Sequence, residues 1–234
     1  MRFATALNYD VKFQIRHGFY AVYAIITLFY FGALANVPSP IRPTLVTLLI
    51  FMDTSVLGFF FVGGIILLER RQRTIESLFV TPLRPGEYLW AKVISLTILA
   101  ALASHLIIIV VADISLNILW FTFGICASSV FFVFMGIAIA VRSRTINGYF
   151  FRGIAYTMIL AVPLFQYFHL VENPIISLFP TWPLLLLTDA QFHSYSLPEM
   201  LGAVALLIVW CGIAWWWAHR WFRKYVIQRF GEEL

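Results

Sequence analysis

The chain has 234 residues, 62% of them hydrophobic and only 12% charged, with a mean hydropathy of +0.89. A soluble core of this size neither needs nor tolerates so much apolar surface, so the composition predicts an all-α polytopic membrane protein. The formal net charge of +5 would invite a nucleic-acid partner in a soluble protein, but here the bases gather at the ends of apolar runs, where membrane lipid headgroups are the counterions and nucleic acid is not expected. Cys126 and Cys211 lie inside apolar runs, offer neither a disulfide framework nor a metal spacing, and read as inert core residues.

Residues 1–18 read as an amphipathic connecting helix at the membrane interface. Phe3, Leu7, Val11 and Ile15 recur at a four-residue step, and Arg2, Thr5, Asp10, Lys12 and Arg16 lie away from that stripe. The apolar region begins only after this helix and no small-residue cleavage site follows, so it is not read as a signal peptide. Gly18 supplies an elbow into a first span over 19–35, short at seventeen residues, with Tyr20, Tyr23 and Tyr30 as interface anchors. Three prolines in 36–43 make a short turn. The second span, 44–68, carries Asp53 near its middle, which costs roughly 2.5 to 3.5 kcal/mol on insertion scales. Sixteen Leu, Ile, Val and Phe residues in the same segment each return about 0.3 to 0.6 kcal/mol, so it still inserts.

Residues 69–92, ERRQRTIESLFVTPLRPGEYLWAK, form the one long polar island between two apolar runs and hold five of the sixteen Lys and Arg residues. Thr74 can cap a short helix whose first turn carries Glu76 and whose Ile75, Leu78 and Phe79 share a face. Pro82 stops it, and Pro85-Gly86 turns the chain into the next span. On the residues alone two readings stand: a helix lying on headgroups, or a docking helix for a soluble partner.

Glu69-Arg70, Thr74-Ile75-Glu76-Ser77-Leu78, Thr81-Pro82 and Glu87-Tyr88 resemble the first cytoplasmic loop of ABC-2 type (type-2 ABC exporter) transmembrane permeases. The resemblance implies that 69–89 is a coupling loop whose helix sits in a cleft of a separate cytosolic ABC ATPase. It places Glu69, Arg70, Arg73, Thr74, Glu76, Leu78 and Phe79 at the coupling contact, with Arg70, Arg71 and Arg73 meeting acidic rims or headgroups. Arg73 departs from the pattern by standing where the family commonly has Gly before the Thr, which leaves the backbone turn there open. The short length, the lack of a large outer domain and the opening FQIRHGFYAVYAI look most like the branch that exports fluoroquinolones.

The third span, 90–112, contains His105, and 113–116 is a tight outer turn before the fourth span at 117–141. Arg142, Arg144 and Arg152 bracket the next loop. The fifth span, 153–170, should kink at Pro163 and free a backbone carbonyl that needs another partner. The segment 171–198 is apolar yet broken by Pro174, Pro180, Pro183 and Pro198, and its runs 175–179 and 184–188 are too short to cross a bilayer. They read as half-helices dipping in from the outer surface, or as an ordinary outer loop capping the bundle; the resemblance, which includes re-entrant exofacial helices here, favours the first. The sixth span, 199–218, ends in Trp215-Trp216-Trp217, followed by a basic tail over 219–234.

Placing both termini, the 69–92 stretch and the Arg142 to Arg152 loop in the cytoplasm puts fifteen of the sixteen bases inside and leaves only Arg42 outside, which predicts six spans in a bacterial inner membrane. The chain has no G-x-x-x-x-G-K-[ST], so ATP and Mg would belong to the partner subunit and this chain binds no cofactor. Neither a metalloprotease nor a nucleophile-elbow motif occurs, which leaves no enzyme beyond an intramembrane hydrolase or acyltransferase resting on isolated polar residues. Asp53 and His105 are the pathway candidates. They lie about 13 and 10 Å from the outer ends of their spans and could pair there, the alternative for Asp53 being local Ser or Thr hydroxyls such as Thr54 and Ser55. Gly58, Gly63, Gly64, Gly124, Ser128 and Gly136 suit close helix packing. Six spans are few to enclose a path, so a second permease copy or paralogue is expected. The functional expectation is the permease subunit of an ATP-driven exporter of hydrophobic or amphipathic molecules; the alternative is a stand-alone membrane protein, such as a lipid scramblase or assembly factor, with no ATPase.

Overall fold

The computed structural model describes residues 2–75, 83–111 and 118–227, and they are helical with no strand among them. The chain is an all-α polytopic membrane protein. Helices α1 (Arg2–Arg16) and α2 (Phe19–Ala35) meet at 66° across Gly18, whose φ of +75° is open to glycine at no steric cost. A continuous rod over Arg42–Arg71 follows, made of α3 (Arg42–Val56), a π-helical turn (Leu57–Phe61) and α4 (Val62–Arg71). Then come α5 (Pro85–Val111), α6 (Ile118–Arg142), α7 (Ile146–Leu160), the short α8 (Pro163–Tyr167), a 3-10 turn (Ile176–Leu178), α9 (Trp182–Asp189) and α10 (Leu197–Phe222). Five of these rods are long and apolar enough to cross a bilayer, and the bent α1–α2 pair makes a sixth.

Helix α6 is the axis. Every side chain from Phe131 to Val141 is buried, and α10, α5, the π turn, α4 and α9 all pack on it. A helix apolar on all sides belongs at such a centre. Small residues set the approach: a side chain on Gly58 would run into Phe132, one on Gly136 into Val62, and one on Gly124 would lie 2.8 Å from Leu187 of α9. Within the π turn the carbonyl of Phe59 accepts the hydroxyl of the buried Tyr149 of α7.

Several elements differ from the sequence expectation. Helix α5 starts at Pro85, with Glu87 accepting the Arg84 amide at 2.8 Å, so Pro85-Gly86 opens the helix instead of turning the chain. Helix α7 begins at Ile146 with Thr145 as its cap, which puts Arg152 inside the helix. The break before Pro163 leaves the Leu160 carbonyl open, and Thr181 fills it with a 2.5 Å hydroxyl bond. In the 171–198 segment α9 is a buried half-helix, but 176–178 is a single 3-10 turn with Ile175 and Leu178 exposed. Helix α10 continues through Phe222 into a second π-helical turn (Arg223–Ile227), so it runs nine residues past the expected end at 218.

Candidate functional site

The charge that the sequence puts around residue 69 does not all face water. Glu69 and Lys92 are 0% and 1% exposed, and Asp10 of α1 is 3% exposed beside them. Lys92 Nζ lies 2.7 Å from Asp10 Oδ1 and 2.8 Å from Glu69 Oε1, so one ammonium joins α1, α4 and α5. The remaining oxygens are also bonded. Tyr88 donates to Glu69 Oε2 at 2.5 Å, and Ser95 and Gln14 donate to Asp10 Oδ2 at 2.5 and 2.7 Å. Tyr88, Lys92 and Ser95 stand at i, i+4 and i+7, one face of α5, and Asp10 and Gln14 at i, i+4 on α1. Buried carboxylates persist only when paired and hydrogen-bonded, and this cluster meets both conditions.

Asp10 was expected to point away from the buried stripe of α1. Seven residues beyond Phe3, it returns to within about 20° of that residue, whereas each four-residue step drifts by about 40°. By Ile15 the stripe has rotated out, and Ile15 is 58% exposed.

Around this cluster the loop is held at both ends. Arg70 donates to the carbonyls of Ser143 and Val141, both at 3.0 Å, and so closes the C-terminal end of α6. Glu69, likewise placed at the coupling contact by the resemblance, is an internal strut. Arg73 is exposed with φ +56°, the left-handed conformation that glycine adopts freely. Thr74, helical with Ile75, lies beside Tyr9 of α1, and Gln72 meets His17 at 3.2 Å. Glu76, Leu78 and Phe79 lie outside the described residues.

Asp53 and His105 are not brought together. Asp53 is 2% exposed and accepts the hydroxyl of Tyr23 from α2, so Tyr23 is a buried partner and not an interface anchor. The local hydroxyls are not its partners either: Ser55 bonds the Phe51 carbonyl at 2.7 Å, and Thr54 has no hydrogen-bond partner among the described residues. His105 bonds the Ala101 carbonyl through Nδ1 at 2.7 Å and Thr122 through Nε2 at 2.9 Å. A carbonyl only accepts, which assigns the proton to Nδ1.

Sequence reading missed a second polar knot at the opposite end. Asp189, closing α9, is 3% exposed and accepts from Tyr167 and Tyr195 at 2.7 Å each, with His193 at 2.8 Å and Thr47 at 3.5 Å. Burial and the bond to Asp189 raise the pKa of Tyr195, which keeps it a donor. The ring of partners ties α3, α8, α9 and the approach to α10. Its only sequence signal was a carboxylate at the end of an apolar run.

A helical bundle of spanning length, packed on one central helix and clamped by buried charges at one end, is in class a polytopic membrane protein. Residues 1–230 match the family described as the Fluoroquinolones export permease protein family, and the chain belongs to that family. Two similar proteins are Fluoroquinolones export permease protein MT2761 of Mycobacterium tuberculosis (strain CDC 1551 / Oshkosh) and Fluoroquinolones export permease protein Rv2687c of Mycobacterium tuberculosis (strain ATCC 25618 / H37Rv). Each is 29% identical over 233 residues, covering 98% of both chains. The likeness to a drug-export permease thus runs along nearly the whole chain.

Proposed function

We propose that this permease is driven by a separate cytosolic ABC ATPase acting on the 72–84 segment, and that it works as a dimer with a second copy or paralogue in the bacterial inner membrane, both termini in the cytoplasm. The names of the relatives favour a planar, amphipathic drug of the fluoroquinolone type as cargo, moved outward. The observation that carries this reading is the Asp10–Lys92–Glu69 cluster, which locks α1 to both helices flanking the loop. A push on a loop held so closely moves three helices together instead of bending the loop alone. On this reading Thr74, Glu76, Leu78, Phe79 and Arg73 make the contact, while Glu69 and Arg70 hold the loop's root as positioning residues. Asp53 and His105 are separate pathway candidates, since intramembrane ionisable groups are functional candidates by default.

The test is reconstitution of the permease with the P-loop ATPase that copurifies with it. Glu76→Lys should leave ATP hydrolysis running while drug transport falls at least about tenfold, equivalent to roughly 1.4 kcal/mol of lost coupling. Transport at the wild-type ratio of drug to ATP in that variant, or transport with no ATPase present, would overturn the proposal. Unchanged transport and pH dependence in Asp53→Asn would remove that residue from the pathway.

A further inference from the structure

The end of α10 carries a feature that lies outside the charge cluster. Trp215, Trp216, His219, Arg220, Arg223 and Lys224 line a groove of about 450 Å³ on the outside of the bundle. Trp215 stacks on His219 at 5.7 Å and 20°, and the Arg220 guanidinium sits 5.4 Å from the Trp216 ring centre. Arg220, Arg223 and Lys224 are exposed, and no carboxylate among the described residues pairs with them. His219 Nδ1 is buried and has no hydrogen-bond partner among the described residues.

Depth identifies what meets this groove. Glu199, in the first turn of α10, marks one membrane boundary. Trp216 lies seventeen residues further, about 26 Å along the axis, and Arg220 about 32 Å, against a hydrocarbon core of about 30 Å. The indoles therefore fall at the edge of the hydrocarbon and the guanidinium in the headgroup layer. Residues 219, 220, 223 and 224 occupy an arc of about 140°, so their charge converges on one place.

We propose that this groove binds the headgroup of an anionic phospholipid. The phosphodiester sits among Arg220, Arg223 and Lys224, and the acyl chains run down past Trp215 and Trp216. Phe222, buried between these bases in sequence, packs on Tyr88 at 5.3 Å, so the bound lipid would steady the helix turn that abuts the Glu69 cluster. The inference concerns binding alone and stands whether or not an ATPase drives the permease.

Thermal unfolding of the purified chain in neutral detergent tests it, with phosphatidylglycerol or phosphatidylcholine added. Phosphatidylglycerol should raise Tm by about 5 °C or more near a hundredfold excess over Kd, and phosphatidylcholine should not. The variant R220Q/R223Q/K224Q should keep its Tm in phosphatidylcholine and lose the phosphatidylglycerol increment. The control K12Q/R16Q/R144Q removes the same charge from other exposed positions and should keep the increment. Equal response to both lipids, retention of the increment in the first variant, its loss in the control, or an equal effect from inorganic phosphate alone would each overturn the proposal.

Discussion

The ring of Tyr149 fills the space that a side chain on Gly63 would need, and a methyl group there would overlap the phenol. That close approach lets Tyr149 reach the Phe59 carbonyl within the π turn, joining α7 to the middle of the second spanning rod. Gly63→Ala should therefore destabilise the protein by about 1 to 3 kcal/mol. Gly64→Ala, whose new methyl would find its nearest neighbour at 3.8 Å, should be neutral or stabilising by up to about 1 kcal/mol. Comparing the two by thermal unfolding in detergent checks this; a Gly63→Ala protein as stable as Gly64→Ala would contradict the packing.

The buried triad predicts an order among its own variants. Lys92→Met strands two carboxylates away from water and should cost about 3 to 5 kcal/mol, whereas Asp10→Asn leaves the Lys92–Glu69 pair and should cost less. The neutral triple variant D10N/E69Q/K92M should recover much of the loss, because no uncompensated charge remains. Unfolding midpoints of the three proteins give the ranking.

Arg73 holds a backbone conformation that costs an L-residue roughly 1 to 2 kcal/mol. Arg73→Gly relieves that cost and should raise stability slightly, while Arg73→Val, branched at Cβ, should lower it. If the guanidinium also meets the ATPase, Arg73→Gly will lose coupling without losing stability, and measuring transport beside Tm separates the two effects.

Because Asp53 and His105 bond to different helices, their substitutions should act independently. In a cycle of Asp53→Asn, His105→Gln and the double variant, the coupling energy should stay below about 0.5 kcal/mol, whether read from stability or transport. A coupling above about 1 kcal/mol would restore the direct pair that their similar depths suggested.

Spanning rods were legible in the sequence because hydrocarbon demands long apolar runs, and the 69–92 stretch was legible because it is the polar exception between two of them. What misled was reading charge as exposure. Glu69, Lys92 and Asp10 look like surface residues along the chain, yet each is buried because the others are there. Tyr23 looked like an interface anchor until Asp53, thirty residues away, proved to be its acceptor. Arg73 gave a partial signal, since a position usually held by Gly points to a left-handed turn, and φ there is +56°.

The sequence by itself determined that this chain is a helical membrane protein and roughly where its helices cross, because transfer into hydrocarbon is a local property summed along the chain. Only the tertiary structure decided which polar groups satisfy one another: Asp10 with Lys92, Tyr23 with Asp53, Asp189 with its tyrosines. Those partners come from distant helices, and a buried donor or acceptor is stable only beside the group that the packing brings to it.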